Sequence, residues 1–336
     1  HKEAAAEILA RAESLIAKGA DQVDPDLWHY YLDVTGRHVF VDCLSEREAR
    51  YRWAETTFKA IAASNYGPLQ MFEQRVRRHP DHTLFQDMST QPPAMLSYKL
   101  IADRLRSIAS ALYHITPEPR VAIFSENCVD GACTDLACLF YDILVTPINV
   151  HTDPESLAWM FDLLKINIVV TDGEIRYQRL LKARAKCNDS FKILTMTPNT
   201  GMSEAQSLTE ATLAVAPSEG RELLKNRRRR PLDEVATVMF TSGSTGRPKG
   251  VSFSLYNLIT KRFARSAALP QVGDNEVLLC YLPLFHTFGR FFEMMGAIYW
   301  SGTYVFPGNP SSETLMALLK QVNPTGLISV PVRWVQ

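Results

Sequence analysis

The chain has 336 residues, of which 46% are hydrophobic and 21% are charged, and its 36 basic side chains balance its 36 acidic side chains. This composition is typical of a globular protein and excludes a mainly disordered chain. The zero formal charge argues against a protein devoted to nucleic acid, so no nucleic-acid partner is expected. The length predicts about two domains.

Membrane and metal signals are weak in the sequence. No apolar run reaches the roughly 18 residues that a transmembrane helix requires, because the best stretch contains Arg290 and Glu293. The six cysteines form no Cys-x-x-Cys pair, which argues against a zinc site. We therefore expect a reduced, cytoplasmic setting, with peripheral membrane contact left open.

Residues 1–65 are predicted to form a helical N-terminal extension. Ala4, Ile8, Ala12 and Leu15 recur with helical spacing, and residues 46–63 form a second amphipathic segment. No motif in this region carries chemistry, so packing against the rest of the chain is the favoured interpretation. An oligomer formed through these helices is the alternative.

Residues 66–226 are predicted to form a first α/β subdomain. After two predicted helices, strands near 121–125, 144–149, 168–171 and 192–196 alternate with helices. This order indicates a mostly parallel sheet with helices on its faces. Residues 198–230 are polar and are interpreted as a surface connection. They end in Arg227–Arg230, a run that is more often solvated than used to bind phosphate-rich partners.

Residues 227–336 repeat this rhythm in a second, incomplete α/β subdomain. Strands are predicted over 235–240, 277–282, 303–306 and 326–330, with helices over 288–300 and 313–322. Because strand spacing is similar in both parts, the predicted fold is α/β, with two similar parallel-sheet subdomains side by side. The cleft between such units is a common place for a ligand.

One loop carries the clearest chemical signal. The strand over 235–240 leads into Thr241-Ser-Gly-Ser-Thr-Gly-Arg-Pro-Lys-Gly250. Its glycines let backbone N–H groups approach an anion, its hydroxyls donate to phosphate oxygens, and Lys249 supplies a positive charge. The position of Lys249, between Pro248 and Gly250, differs from the common P-loop pattern. These residues predict a polyphosphate-binding loop of another type.

This loop resembles the signature of the adenylate-forming (AMP-binding) superfamily, which includes acyl-CoA synthetases. A second segment, Tyr281-Leu-Pro-Leu-Phe-His-Thr-Phe-Gly-Arg290, resembles the Leu-Pro-Leu-x-His segment of that family, and Asn257 fits its Asn after the loop. The pattern around His286 and Arg290 is most similar to long-chain fatty acyl-CoA synthetases. Leu255, Phe285 and Gly289 depart from it.

The resemblance implies a reaction in two steps. The carboxylate of a medium- or long-chain fatty acid attacks the α-phosphorus of Mg-ATP, and coenzyme A then displaces AMP from the acyl-adenylate. The expected participants are therefore ATP, Mg²⁺, coenzyme A and a small carboxylic acid. Positioning and charge neutralisation dominate such chemistry, because the carboxylate and the triphosphate repel each other.

The resemblance also implies roles for individual residues. Lys249 and His286 are the expected catalytic residues, Lys249 at the departing pyrophosphate and His286 near the α-phosphate. Arg290, Val330 and Pro331 are expected to line the acyl tunnel. The phosphate-binding residues are expected to be Thr241, Ser242, Gly243, Ser244, Thr245, Gly246 and Lys249, with Thr245 also orienting the metal.

Several family motifs do not occur in the sequence. These are the adenine-side aromatic-Gly-x-Thr-Glu, the Thr-Gly-Asp that holds ribose, and the C-terminal catalytic domain with its lysine. We therefore expect a fragment that is inactive alone. Adenylation of an amino or aryl acid, and a non-catalytic nucleotide-binding role, remain the alternatives.

Overall fold

The computed structural model describes residues 2–18, 26–35, 46–196, 202–241, 247–269, 272–273, 275–308 and 312–328. The described helices are α1 (Lys2–Lys18), α2 (Leu27–Thr35), α3 (Arg47–Ser64), α4 (Pro68–Arg78), α5 (Tyr98–Ile115), α6 (Val129–Phe140), α7 (Pro154–Leu164), α8 (Glu174–Arg184), α9 (Leu208–Leu213), α10 (Pro217–Asn226), α11 (Leu255–Ala268), a π-helix (Phe288–Met294), α12 (Met295–Trp300) and α13 (Ser312–Val322). The described strands are β1 (Thr83–Asp87), β2 (Ala94–Ser97), β3 (Arg120–Phe124), β4 (Leu144–Pro147), β5 (Ile168–Thr171), β6 (Lys192–Thr195), β7 (Ala205–Ser207), β8 (Val235–Thr241), β9 (Lys249–Ser254), β10 (Val277–Leu279) and β11 (Thr303–Phe306).

Seven of the described strands form the larger sheet, in the order β7-β6-β5-β3-β4-β8-β9. The strands from β7 to β8 pair in parallel, and β9 joins β8 antiparallel at one edge. Both faces of the sheet are covered. Val121 and Ile123 of β3 belong to one apolar cluster, and Ala122 and Phe124 belong to another on the opposite face. Burial on both faces is typical of parallel sheets and confirms the predicted α/β class.

The smaller sheet has the order β10-β11-β1-β2 among the described strands. β1 pairs in parallel with β11, although more than 200 residues separate them in the chain, and β2 adds antiparallel to β1. The sheets therefore do not divide at residue 227, where the sequence placed a boundary: β8 and β9 extend the first sheet, and β1 and β2 extend the second. Strand spacing alone does not reveal a partner so distant in the chain.

Local structure departs from the sequence predictions in three further places. The segment interpreted as a polar surface connection contains β7, α9 and α10. The helix predicted over 288–300 begins as a π-helix, a form that often occurs at functional sites. Gly326 makes only an isolated bridge to Leu278, and residues 329–336 lie outside the described part of the chain.

The arginine run is largely neutralised within the fold. Arg227 Nε donates to Asp142 at 2.9 Å, and both side chains are buried. Arg228 and Arg230 each donate to Glu234 at 2.6 Å. The run therefore fixes the chain before β8, which agrees with a structural interpretation better than with a phosphate-binding one.

The N-terminal helices dock on α11 through an aromatic cluster. Trp28 of α2 stacks on Tyr66 with ring centroids 4.4 Å apart. The ring of Phe263 on α11 makes edge contacts with Trp28 at 5.4 Å, Tyr31 at 4.8 Å and Tyr299 at 5.4 Å. The apolar faces of α2 and α3 therefore pack within the chain, as the sequence interpretation of this region predicts. No helix in the described ranges is long and apolar enough to cross a membrane.

Replacing Phe263 tests whether this docking stabilises the fold. Phe263→Ala removes a buried ring that contacts four others, and we expect a loss of about 3–5 kcal/mol in the free energy of unfolding, measured by urea denaturation. Leu213→Ala is the control, because Leu213 is 80% exposed and its loss should stay within about 0.5 kcal/mol. Equal losses in the two variants would contradict a stabilising role for the cluster.

Candidate functional site

The larger sheet reverses its strand order between β3 and β4. The chain runs from β3 to β4 on one side and then returns to β5 on the other side of β3. In open α/β sheets, ligands bind beyond the carboxyl ends of the strands at such a reversal. Residues 125–127, 147–149 and 241 lie at this edge of the sheet, at the ends of β3, β4 and β8.

The predicted phosphate loop joins β8 to β9 at the same edge. Thr241 ends β8, Lys249 begins β9, and the two residues pair across the hairpin, with Thr241 Oγ1 3.4 Å from the Lys249 carbonyl oxygen. Lys249 is exposed and has no ion-pair partner in the part of the chain that the structure describes. The expected site residues outside the described part are Ser242, Gly243, Ser244, Thr245, Gly246, Val330 and Pro331.

A cavity of about 320 Å³ joins the flanks of this loop to the second predicted motif. Thr241 and Pro248 line it from the two sides of the loop, and Phe285 lines it from the segment that contains His286. Asn149 and Asp153 close it beyond the end of β4. The structure thus brings the two motifs to a common cavity, although about 40 residues separate them in the sequence.

His286 lies on an exposed turn just before the π-helix. Its N–H donates to the Pro283 carbonyl oxygen at 3.0 Å, and its own carbonyl oxygen accepts from the Arg290 N–H at 3.1 Å. The imidazole is nearly parallel to the Phe288 ring, with centroids 5.9 Å apart. The backbone therefore fixes the position of His286 while its ring remains accessible.

Asn127 holds this turn from the end of β3, a role that the sequence did not reveal. Its Nδ2 donates to the Leu282 carbonyl oxygen at 2.9 Å, and its Oδ1 accepts from the Leu284 N–H at 2.9 Å. One amide side chain thus satisfies a backbone donor and a backbone acceptor of the motif. The corresponding signal in the sequence is an Asn three residues beyond the end of the buried strand β3.

Gly289 lets the π-helix approach this turn closely. A Cβ atom on Gly289 would lie 2.6 Å from the carbonyl oxygens of both Leu282 and Pro283. Both atoms belong to the backbone, so no side-chain rotation would relieve the clash. The departure from the family pattern at this position therefore has a packing reason.

Arg290 is placed in the core rather than at an open surface. Its guanidinium binds both carboxylate oxygens of Asp135, at 2.6 and 2.7 Å, and donates to Thr237 Oγ1 at 2.7 Å. The side chain has 0% exposure. Its donors are thus committed to α6 and β8, and this geometry favours a positioning role over the expected lining of an acyl tunnel.

A second cavity, of about 680 Å³, lies on the other side of the His286 turn. Thr287 lines it just before the π-helix, Phe291 from the π-helix and Met295 from α12. Phe253 lines it from β9, and Phe58 lines it from α3 of the N-terminal extension. Residues 285 and 287, which flank His286, therefore face different cavities.

Glu293 is buried in the π-helix, and no basic side chain in the described part of the chain lies within ion-pair distance of it. Tyr304 Oη donates to its Oε2 at 3.1 Å. Burial raises the pKa of Glu293 to about 8, although the hydrogen bond from Tyr304 lowers it. Burial therefore favours the protonated form of this carboxyl group, which accepts the Tyr304 hydrogen bond within the core.

Metal-binding side chains are not clustered in the described residues. No group of three or more His, Cys, Asp or Glu side chains there is arranged to hold an ion. Thr245, the expected metal-orienting residue, lies outside those residues.

Comparison with known proteins agrees with the arrangement of the two motifs. The family of AMP-binding enzymes matches residues 72–336. The chain belongs to this family. Among curated relatives, human long-chain-fatty-acid–CoA ligase 1 is 25% identical over 286 residues, which cover 81% of this chain and 39% of that protein. Rat long-chain-fatty-acid–CoA ligase 5 is 25% identical over 327 residues, which cover 94% of this chain and 43% of that protein.

The AMP-binding chain thus spans about two fifths of the length of these relatives. Its fold matches that of solved acid–CoA ligases. The anthranilate CoA ligase AuaEII in complex with anthranoyl-AMP gives a TM-score of 0.69 at 12% identity, over 80% of this chain and 50% of that one. At this identity the match shows the fold alone.

Adding one methyl group at Gly289 tests the close packing under the His286 turn. Because the clash in Gly289→Ala is with backbone, we expect the free energy of unfolding to fall by about 1–3 kcal/mol and the turn to become more sensitive to limited proteolysis. In the control, Gly67→Ala, the new Cβ would meet only flexible ends of Leu232 and Gln70. If the two variants were equally stable and equally resistant, Gly289 would have no special packing role.

Glu293 should make stability depend on pH. Its pKa rises from 4.5 in the unfolded chain to about 8 in the fold, so the folded state binds the proton more tightly. The stability contributed by this group is complete below pH 4.5 and is lost as pH rises through about 8. We therefore expect Glu293→Gln to gain stability relative to the parent protein between pH 5 and pH 9, measured by urea denaturation at each pH. Exposed Glu222→Gln should show no such trend. If the stability difference between Glu293→Gln and the parent protein did not change with pH, the buried carboxyl group would not be the source of the pH dependence.

Proposed function

We propose that this AMP-binding protein takes part in the ATP-dependent activation of a carboxylic acid. The acid forms an acyl-adenylate with release of pyrophosphate, and coenzyme A then takes the acyl group with release of AMP. The observation that carries the proposal is the position of the His286 turn between two cavities. One cavity contains the flanks of the phosphate loop, and the other is larger, with aromatic and aliphatic side chains beside polar and basic ones in its walls.

The nucleotide side is the cavity that Thr241 and Pro248 line. In the proposal, Thr241, Ser242, Gly243, Ser244, Thr245 and Gly246 bind the β- and γ-phosphates, and Lys249 neutralises the departing pyrophosphate. An exposed lysine without a fixed partner suits this task, because its point charge follows a phosphate as it moves. Mg²⁺, when bound, would neutralise phosphate charge there, with Thr245 as the expected orienting residue.

The acid side is the 680 Å³ cavity. Its volume lies in the range of small-molecule sites, and Phe58, Phe253, Phe291 and Met295 give it apolar walls. His286, between the two cavities, would contact the reacting carboxylate and the α-phosphate. A medium- or long-chain fatty acid is the proposed substrate, which the names of the curated relatives support. The solved ligase that holds anthranoyl-AMP keeps an aryl acid as the second candidate.

Arg290 acts in this proposal as a positioning residue. Its pair with Asp135 and its bond to Thr237 connect the π-helix to the strand that carries the phosphate loop. We also propose a reducing, cytoplasmic setting, because the five cysteines that the structure describes are all free thiols.

The test is ATP–pyrophosphate exchange by the full-length protein, measured with a panel of fatty, aryl and amino acids. We expect exchange with fatty acids, and we expect Lys249→Ala to reduce it about 10- to 100-fold, since a charged hydrogen bond contributes about 1.5–3 kcal/mol. Binding of coenzyme A, measured by calorimetry, should change little in that variant.

Lys182→Ala is the matched control, because Lys182 is an exposed lysine on α8, away from both cavities. Unchanged exchange in Lys249→Ala would remove Lys249 from the site. Exchange with no acid on the panel would overturn the proposed function.

A further inference from the structure

Basic side chains of α11 line the larger cavity. Lys261, Arg262 and Arg265 all face it, and no acidic side chain is among its described lining residues. Arg262 is only 2% exposed. Its Nη1 donates to the Phe292 carbonyl oxygen at 3.1 Å, whereas its Nη2 is buried without a hydrogen-bond partner in the described part of the chain.

Arg265 extends the same positive surface. Its guanidinium lies over the Phe292 ring, 4.3 Å from the centroid, and its Nη1 is likewise buried without a partner among the described residues. Burial, and then the nearby charge of Arg265, lower the pKa of Arg262 to about 9. Arg265 is half-buried, whereas Arg262 is a buried charge, and a buried charge without a counter-ion is costly. The pair therefore favours an anionic group as a ligand of this cavity.

These arginines lie further along the π-helix than the part of the cavity next to His286. Thr287, next to His286, marks the end where the reacting carboxylate is proposed to lie. Arg262 and Arg265 contact Phe292, further along the π-helix, and Gly296 makes room for Arg262, because a Cβ there would lie 3.0 Å from its Nη1. Apolar wall residues such as Phe291 and Met295 line the same cavity.

We propose that the acid bound in this cavity carries a second carboxylate at its far end, and so is an α,ω-dicarboxylic acid. This inference rests on the proposed function and narrows its substrate from fatty acids in general to chains that carry a carboxylate at each end. Arg262 and Arg265 bind the far carboxylate, while the apolar walls hold the chain between the two ends. Arginine suits this role, because its planar donors match a carboxylate in pairs. A fatty acid that ends in a methyl group would place that group against the unpaired Nη2 of Arg262.

The test compares two eight-carbon probes that differ at one end. Binding of octanedioate and of octanoate to the purified protein is measured by isothermal titration calorimetry, without ATP. We expect octanedioate to bind about tenfold more tightly, as one charged hydrogen-bonded pair would give. Arg262→Met and Arg265→Met should abolish this preference, and urea denaturation of each variant checks that it is still folded. Arg262→Lys should restore part of the preference.

The matched control is Arg221→Met, an exposed arginine on α10 that lines neither cavity. Octanoate binding as tightly as octanedioate, or a preference that survives both arginine variants, would overturn the inference. The inference would also be overturned if inorganic phosphate competed equally well with octanoate and with octanedioate, because that result assigns the arginines to a phosphate group.

Pyrophosphate exchange separates this inference from the proposed function. Exchange with octanoate but not with octanedioate refutes the dicarboxylic substrate and leaves acid activation intact. Exchange with neither, together with arginine-dependent binding of octanedioate, refutes acid activation and supports the dicarboxylate site.

Discussion

The ion pair between Arg290 and Asp135 is the constraint on which the site depends. It joins the π-helix to α6, and the bond from Arg290 to Thr237 adds β8. Thr237 in turn donates to the Val145 carbonyl oxygen of β4 at 2.6 Å. Removing one partner of such a buried pair typically costs about 3–5 kcal/mol, because the other charge is left unpaired. The turn that bears His286 and the strand that bears the phosphate loop are thus anchored to the same buried charge.

The N-terminal extension is part of this arrangement rather than an appendage. Phe58 of α3 closes one wall of the larger cavity, and Phe263 of α11, which the extension covers, follows Arg262 directly. The helix that carries the unpaired arginines is therefore packed between the extension and the π-helix. Any motion of the extension would change the shape of the cavity as well as the stability of the fold.

The sequence predicted what is encoded locally. The alternation of strands and helices and the composition of the loop over 241–250 each depend on residues that are close in the chain. Asn127 and Asp135, in contrast, act on partners about 155 residues away, and β1 pairs with β11 across the whole chain. Nothing local marks such partners, so the division of the sheets and the role of Arg290 required the structure.

The zero net charge of the chain conceals two different uses of positive charge. Lys249 is exposed on a hairpin, where water stabilises its charge. Arg262 is buried, and the fold keeps its charge at a cost that no described side chain offsets. An exposed cation such as Lys249 suits a mobile, strongly solvated group, whereas a buried cation such as Arg262 suits a group that is held in one place. In the proposed function, the exposed Lys249 suits a departing pyrophosphate, and the buried Arg262 suits the fixed end of the bound acid.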